Sequence, residues 1–284
     1  MVILSDYESD FENKWCPGCG NFAILKAMKS GLVALCIPPS RILIVSGIGQ
    51  AAKTPHFLKC NGFHSLHGRA LPIATGAKIA NRELTVLVNS GDGDCYGEGG
   101  NHFMHAIRRN VNITLLVHNN MTYGLTKGQA SPTSRRGMVT KMQPHGVIQD
   151  PMNPLTVALA LGAGFVARGF SGEVEGISHL IQQAIKYHGF SMIDILQPCV
   201  SFNKVNTFNW YQNRVYSLSD VNHDPENLDE AFRLARQWGD QIPIGLLFRQ
   251  EKKTFNERLM NTGRKNLFAE PYSAEKLQAL LKNR

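Results

Sequence analysis

The sequence has no uninterrupted apolar stretch of the roughly 18 residues that would suggest a membrane span. Its longest apolar run, Val157 to Ala167, contains two glycines and stops at Arg168, so it reads as a buried helix running into a strand. No basic-then-apolar export signal opens it: the first residues carry Asp6, Glu8, Asp10 and Glu12. A cytoplasmic location and no membrane partner are expected. There is no G-x-x-x-x-G-K phosphate loop followed by Ser or Thr, and no G-x-G-x-x-G after the first expected strand, so nucleotide-binding readings fall behind. Internal repeats and low-complexity segments are missing too. Six cysteines in 284 residues, without an export signal, argue against a disulfide framework.

What is present is ample apolar content, 43% hydrophobic, enough for a large core in one α/β-sized unit. Lys and Arg number 30 against 22 Asp and Glu, giving a net charge of +8. The basic residues at Arg108–Arg109, Arg135–Arg136 and Lys252–Lys253 read either as solvated faces or as attraction for an acidic partner or anionic ligand. Nucleic-acid binding is not expected, because the aromatics (8%) do not interleave with the basic residues as a stacking platform requires.

Short β-branched runs alternate with helical patterns. Strands are expected at Arg41 to Ser46, Leu84 to Asn89, Val111 to Val117, Phe165 to Arg168 and Met192 to Leu196. Helices are expected from Asn21, over Leu71 to Ala80, Asn101 to Arg109, Leu155 to Leu161 and Glu173 to His188, with a polar loop over 119–137. Such alternation predicts a doubly wound α/β fold with a mostly parallel sheet, its strands buried on both faces. Residues 1–200 are read as that domain and 201–284 as a C-terminal extension. Within the latter, helices are expected at Asp229 to Trp238 and Ser273 to Leu281, and a strand at Ile244 to Phe248.

Two elements carry chemistry. Gly91-Asp92-Gly93-Asp94 ends one strand and enters a helix, and Asn119-Asn120-Met121-Thr122 ends the next. In a parallel sheet, ligands sit outside the carboxyl ends of strands. Glycines let the backbone approach an anion, and a helix start favours negative charge. Asp92, the Asn120 side chain and a following carbonyl supply hard oxygens suited to Mg²⁺. A lone Gly-Asp-Gly is a common turn; the pair of elements one helix and one strand apart is the specific signal, and matches a diphosphate-binding domain of thiamine-diphosphate enzymes. Cys16 and Cys19, in Trp15 to Gly20 (WCPGCG), form a C-x-x-C pair, which on its own fits iron–sulfur, zinc or redox chemistry.

The segments Trp15 to Asn21, Ser46 to His56, Leu66 to Gly76, Asn89 to Asp94 and His118 to Thr133 together resemble the β subunit of the 2-oxoacid:ferredoxin oxidoreductases, most closely its 2-oxoglutarate members. The resemblance implies thiamine diphosphate, Mg²⁺ held by Asp92, Asn120 and the Thr122 carbonyl, and a diphosphate lined by Gly91, Gly93, Asp94, Gly124, Leu125 and Thr126. It places Ile48 and Gly49 against the cofactor and His67 beside the diphosphate; the bland alternative for His67 is a satisfied loop histidine. Lys53 would meet the substrate carboxylate, or be an ordinary surface lysine. A [4Fe–4S] cluster normally takes four thiolates. Cys16, Cys19 and Cys199 fit, but Gln50 stands where many relatives have cysteine, and Cys60 is taken as the remaining ligand. Cys36 and Cys95 read as buried structural cysteines. The implied reaction is coenzyme A-dependent oxidative decarboxylation of a 2-oxoacid, 2-oxoglutarate favoured over pyruvate, with electrons passed to ferredoxin. One such domain cannot activate the aminopyrimidine, so an α subunit supplying a glutamate is expected. Two other readings stay open: a flavin-assisted or non-redox thiamine decarboxylase, and a non-catalytic zinc-binding assembly subunit of the same fold.

Overall fold

A computed structural model describes residues 1–260 and 273–282. Its strands are β1 (Ile42–Ser46), β2 (Asn61–His64), β3 (Thr85–Gly91), β4 (Ile113–Asn119), β5 (Thr122–Tyr123), β6 (Gln129–Ala130), β7 (Phe165–Phe170), β8 (Phe190–Leu196), β9 (Val215–Ser217) and β10 (Ile242–Arg249). The helices are α1 (Gly20–Ala34), α2 (Thr54–Phe57), α3 (Ala70–Ala80), α4 (Gly100–Arg109), α5 (Pro154–Ala160), α6 (Val174–Lys186), α7 (Phe208–Gln212), α8 (Leu228–Ala235), α9 (Phe255–Met260) and α10 (Ala274–Lys282). No described helix is long and apolar enough to cross a membrane.

The main sheet has the order β2-β1-β3-β4-β8-β7-β10-β9, parallel throughout except where β10 runs antiparallel to β7. Alternation along each strand sorts its side chains between two layers. Val86, Val88, Leu115 and Val117 face a core built with α3, α4, α5 and α8. Leu87, Leu116, Ile193 and Ile195 face the opposite core, under α1 and α6. Burying each such side chain is worth about 1.5–3 kcal/mol, which is why the strands read as continuous apolar runs.

The segment after residue 200 continues this sheet: β10 supplies Leu247 and Phe248 to the first core, and α8 adds Ala231 and Leu234. The expected loop over 119–137 contains a two-stranded hairpin, Thr122 against Ala130 and Tyr123 against Gln129. Each strand is too short to show a period.

Asn110 joins these parts. It ends α4 in the left-handed region, φ 52°. Its side-chain oxygen accepts from the Phe190 amide at 2.8 Å, and its amide donates to the carbonyls of Lys252 and Lys253. Replacing Asn110 with Gly keeps the backbone but loses three hydrogen bonds, and is expected to cost about 2–3 kcal/mol. Asn110→Ala adds the left-handed penalty and should cost roughly 1 kcal/mol more. Urea unfolding of both variants checks this; equal midpoints for the two would remove the backbone part of the argument.

Candidate active site

Register brings the two chemical elements together. Gly91 lies opposite His118 on the neighbouring parallel strand, so β3 and β4 leave the sheet side by side. Asp92 follows β3, then a single turn of π-helix, Gly93–Glu98, leads into α4. Beyond β4 the chain reverses at Met121, φ 58°. The Asn120 side-chain oxygen accepts the Thr122 amide proton at 3.0 Å, which fixes the amide in place and leaves the oxygen a second lone pair.

Asp92 is 1% exposed. Its Oδ2 accepts from Ser131 Oγ at 2.5 Å and Thr133 Oγ1 at 2.6 Å, and the Asn120 backbone N–H faces the same carboxylate. All these donors are neutral. Burial therefore pushes its pKa up to about 6, against the pull of those hydrogen bonds. A Cβ added to Gly91 or Gly49 would meet nothing within 4 Å, so open space lies beside the strand ends. A buried carboxylate short of positive charge, a fixed amide oxygen and glycine-walled space suit a Mg²⁺–diphosphate group. Asp92, Asn120 and Thr122 would hold the metal.

The Asp94 carboxylate is fully engaged within the fold. Its Oδ1 accepts from the amides of Ile48 and Gly68 and from His67 Nδ1, at 3.0, 2.7 and 2.6 Å, and its Oδ2 from Ser90 Oγ at 2.5 Å. That carboxylate clamps the turn after β1 and the His67–Gly68 loop to the end of β3, which leaves only the backbone of Asp94 to face a diphosphate. At Gly93 a Cβ would strike the Tyr123 ring at 2.3 Å, so the missing side chain also admits an aromatic ring. His67 is held near the site by Asp94 with its side chain 37% exposed. Ile48 and Gly49 form the turn leaving β1. Gly124, Leu125 and Thr126 lie in the hairpin loop, with Leu125 exposed. Lys53 is half-buried on the turn before α2, and its ammonium makes no hydrogen bond or ion pair among the described residues.

Sequence reasoning missed a layer of buttresses. Thr133 Oγ1 also lies 3.0 Å from Asn119 Oδ1, the Asn119 amide donates to Asp194, and Tyr96 OH donates to Asp194 at 2.8 Å. Arg168 lies near Asp194, its buried guanidinium donating to the Pro243 and Ala235 carbonyls. Two hydroxyls directly after the Gly-x-Ala turn, at Ser131 and Thr133, were the available signal for the donors to Asp92.

The cysteines divide. Cys16 and Cys19 precede α1, whose start lies at the carboxyl edge of the sheet. Cys199, three residues past β8, lies close enough to push the Cys19 thiol upward. Burial does most of that, raising Cys19 to about 11. Cys16 Sγ accepts from Ser201 Oγ and Cys19 Sγ from Gln197 Nε2, at 3.2 and 3.3 Å. Cys60 does not join them. It precedes β2 at the amino edge of the sheet, packed by Tyr7 and the second core, its thiol pushed up to about 12 by burial. The parallel strands separate it from the other three, so Cys60 is not a ligand partner for them. Cys95 is buried as expected, but Cys36 is exposed.

Comparison with known proteins bears on this geometry. Residues 46–195 match the family described as thiamine pyrophosphate enzyme, C-terminal TPP binding domain. Residues 199–263 match the family described for the C terminus of the pyruvate ferredoxin oxidoreductase β chain. The chain is 44% identical over 267 residues to 2-oxoacid:ferredoxin oxidoreductase 1, subunit beta, of Aeropyrum pernix, covering 90% of this chain and 84% of that one. The chain belongs to the 2-oxoacid:ferredoxin oxidoreductase β-subunit family. This oxidoreductase β subunit is also 46% identical over 198 residues to the 2-oxoglutarate oxidoreductase subunit KorB of Mycobacterium tuberculosis, over 70% of this chain and 53% of that one. Among solved structures, a 2-oxoglutarate:ferredoxin oxidoreductase from Magnetococcus marinus, with 2-oxoglutarate, coenzyme A and succinyl-CoA bound, aligns with a TM-score of 0.91 at 38% identity. The alignment spans 98% of this chain and 96% of that one. Membership in this family implies an α-subunit partner for the β subunit.

Two outcomes follow from the carboxylates. In chelator-treated protein, Asp92 carries a folded-state pKa raised above its unfolded value. Its protonated form contributes stability below about pH 4, which is lost as pH rises through about 6. Asp92→Asn should therefore stabilise the metal-free β subunit at neutral pH by the order of 1–3 kcal/mol, with the advantage vanishing in acid. Thermal melts across pH test this; a destabilised Asn variant at neutral pH would contradict it. Asp94→Ala should cost about 3–4 kcal/mol, because four donors lose their acceptor. A melt within about 1 kcal/mol of wild type would show that these segments are held otherwise.

Proposed function

We propose that this chain is the cofactor-gripping half of a 2-oxoglutarate-oxidising, coenzyme A-dependent and ferredoxin-linked enzyme, assembled with an α subunit. The observation that carries it is the buried Asp92 carboxylate, supplied with neutral donors alone, beside the fixed Asn120 oxygen and open glycine-lined space. The names of the Mycobacterium relative and of the Magnetococcus structure support 2-oxoglutarate as the 2-oxoacid. The match of residues 199–263 to a family named for pyruvate makes pyruvate the second substrate to assay.

Thiamine diphosphate, when bound, supplies the electron sink that makes decarboxylation of a 2-oxoacid feasible. The chain's own residues bind and orient. Asp92 and Asn120, with the Thr122 carbonyl, would hold the metal, and Ser131 and Thr133 keep the Asp92 carboxylate from turning. Asp94 accepts the His67 Nδ1 proton, so His67 presents Nε2 toward the diphosphate. Gly91 and Gly49 leave room for the cofactor, and Ile48, Gly124, Leu125 and Thr126 line it. We assign to a substrate carboxylate the Lys53 ammonium, which has no hydrogen-bond or ion-pair partner among the described residues. The glutamate that activates the aminopyrimidine belongs to the α subunit. Four thiolates for a [4Fe–4S] cluster are not assembled by this chain, since Cys60 lies at the other edge of the sheet. The zinc-binding assembly reading is disfavoured by the Asp92 pocket, which a purely structural role leaves without purpose.

The test uses the α–β complex produced whole. Asp92→Ala should abolish Mg²⁺-dependent thiamine diphosphate binding in calorimetry and lower dye reduction with 2-oxoglutarate and coenzyme A by at least about 100-fold, the scale expected when a metal-anchoring group is lost. Unchanged cofactor affinity would reject the site. Dye reduction by the wild-type complex with pyruvate but not 2-oxoglutarate would reassign the substrate.

A further inference from the structure

All six cysteines fall within the described residues, so the thiolate supply can be followed to its end. Cys36 lies just beyond α1, a helix of 15 residues that spans about 22 Å at roughly 1.5 Å per residue, so it is far from Cys19 at the other end. Cys60 is at the amino edge beside Tyr7. Cys95 is enclosed beneath the Asp92 turn, among Asp92, Asp94 and Asp194. Three remain, Cys16, Cys19 and Cys199, and they share one corner at the carboxyl edge.

Gln50 borders that corner. The Trp15 indole, adjacent to Cys16 in sequence, donates to the Gln50 carbonyl at 2.8 Å and ties the two segments together. The Gln50 side-chain oxygen is buried and accepts no hydrogen bond, an orphaned acceptor that burial makes costly. Among the described residues no three His, Cys, Asp or Glu side chains close on a single metal ion. The sulfurs are instead held by Ser201 and Gln197. A polynuclear cluster spreads its ligands over a wider cage than one ion, and so suits three thiols that neighbour one another without converging.

We infer that this β subunit holds an iron–sulfur cluster on three thiolates, Cys16, Cys19 and Cys199, with the remaining iron placed beside Gln50 without a thiolate and therefore labile. The inference rests on the oxidoreductase reading above, but concerns ligation alone. Four-iron clusters ordinarily use four thiolates, each anchoring one iron. With one thiolate missing, a one-electron oxidant such as ferricyanide converts [4Fe–4S]²⁺ to the 3+ state, with the electron passing to ferricyanide. That state then releases one Fe²⁺ and leaves [3Fe–4S]⁺. Iron and charge balance in both steps.

The α–β complex is purified without oxygen, and iron and sulfide are counted before and after treatment with ferricyanide and removal of free metal. Iron per β chain in the wild type should fall from about four to about three, with the EPR signal of an oxidised three-iron cluster appearing, and added Fe²⁺ with a reductant should reverse both. Gln50→Cys should retain its fourth iron and suppress that signal. Cys60→Ser should match wild type in iron content and visible absorbance. Wild type keeping all its iron through oxidation would overturn the inference, as would bleaching by Cys60→Ser, or zinc bound without sulfide. Thiamine diphosphate affinity, measured in the same samples, separates this outcome from failure of the Asp92 site.

Discussion

Three buried carboxylates at one edge of the sheet govern how this chain is built, and they differ in how their charge is met. Asp94 takes four hydrogen bonds from two loops and the end of β3. Asp194 has Tyr96, the Asn119 amide and the nearby positive charge of Arg168. Asp92 has hydroxyls and a backbone amide but, among the described residues, no cation. Burying an ionised carboxylate without compensation is costly. Asp94 and Asp194 answer that cost within the fold, and Asp92 leaves it to a ligand. The same edge is thus rigid in two places and electrostatically unfinished in one, the feature on which the proposed metal site rests.

The buttressing runs through shared atoms. The Thr133 hydroxyl lies within hydrogen-bond distance of both Asp92 and Asn119, and Asn119 bonds Asp194, so the Asp92 carboxylate is linked by side chains to β8. Under the same strand ends, fully buried His118 bridges Asn21 at the start of α1 and Asn89 on β3. Burial drives its pKa down to about 3, so it packs as a neutral ring. Asn21 lies two residues after Cys19. The cysteine corner and the diphosphate edge therefore stand on one hydrogen-bonded floor.

The parallel centre of the sheet was legible because both faces are covered, and β3, β4 and β8 read as mostly apolar stretches. β2 was not: Asn61 to His64 is an exposed edge strand with no apolar alternation, held by pairing with β1. β9 has three residues and no period. At the site, Asp92 and Asn120 were readable from strand-end position. The division of labour between Asp92 and Asp94 was not, because two carboxylates one residue apart look alike until the loops that donate to them are folded. Cys60 misled for a related reason: closeness in sequence to Gln50 says nothing about which edge of a parallel sheet a residue reaches, and the turn plus α2 carry the chain back to the amino edge.

The cofactor edge also explains why this chain works with another. Leu66, next to His67, is 75% exposed and Leu125, in the hairpin loop, 41%. Large apolar side chains flanking a polar, unfinished charge are poorly served by water. Water would also screen the attraction between Asp92 and a metal and weaken every bond aimed at the diphosphate. A second subunit laid over this edge would cover the leucines, exclude that water and bring the missing activating group. In this reading the chain spends its internal hydrogen bonds on rigidity around Asp92 and leaves enclosure to its partner, so cofactor retention should depend on assembly as much as on any single ligand.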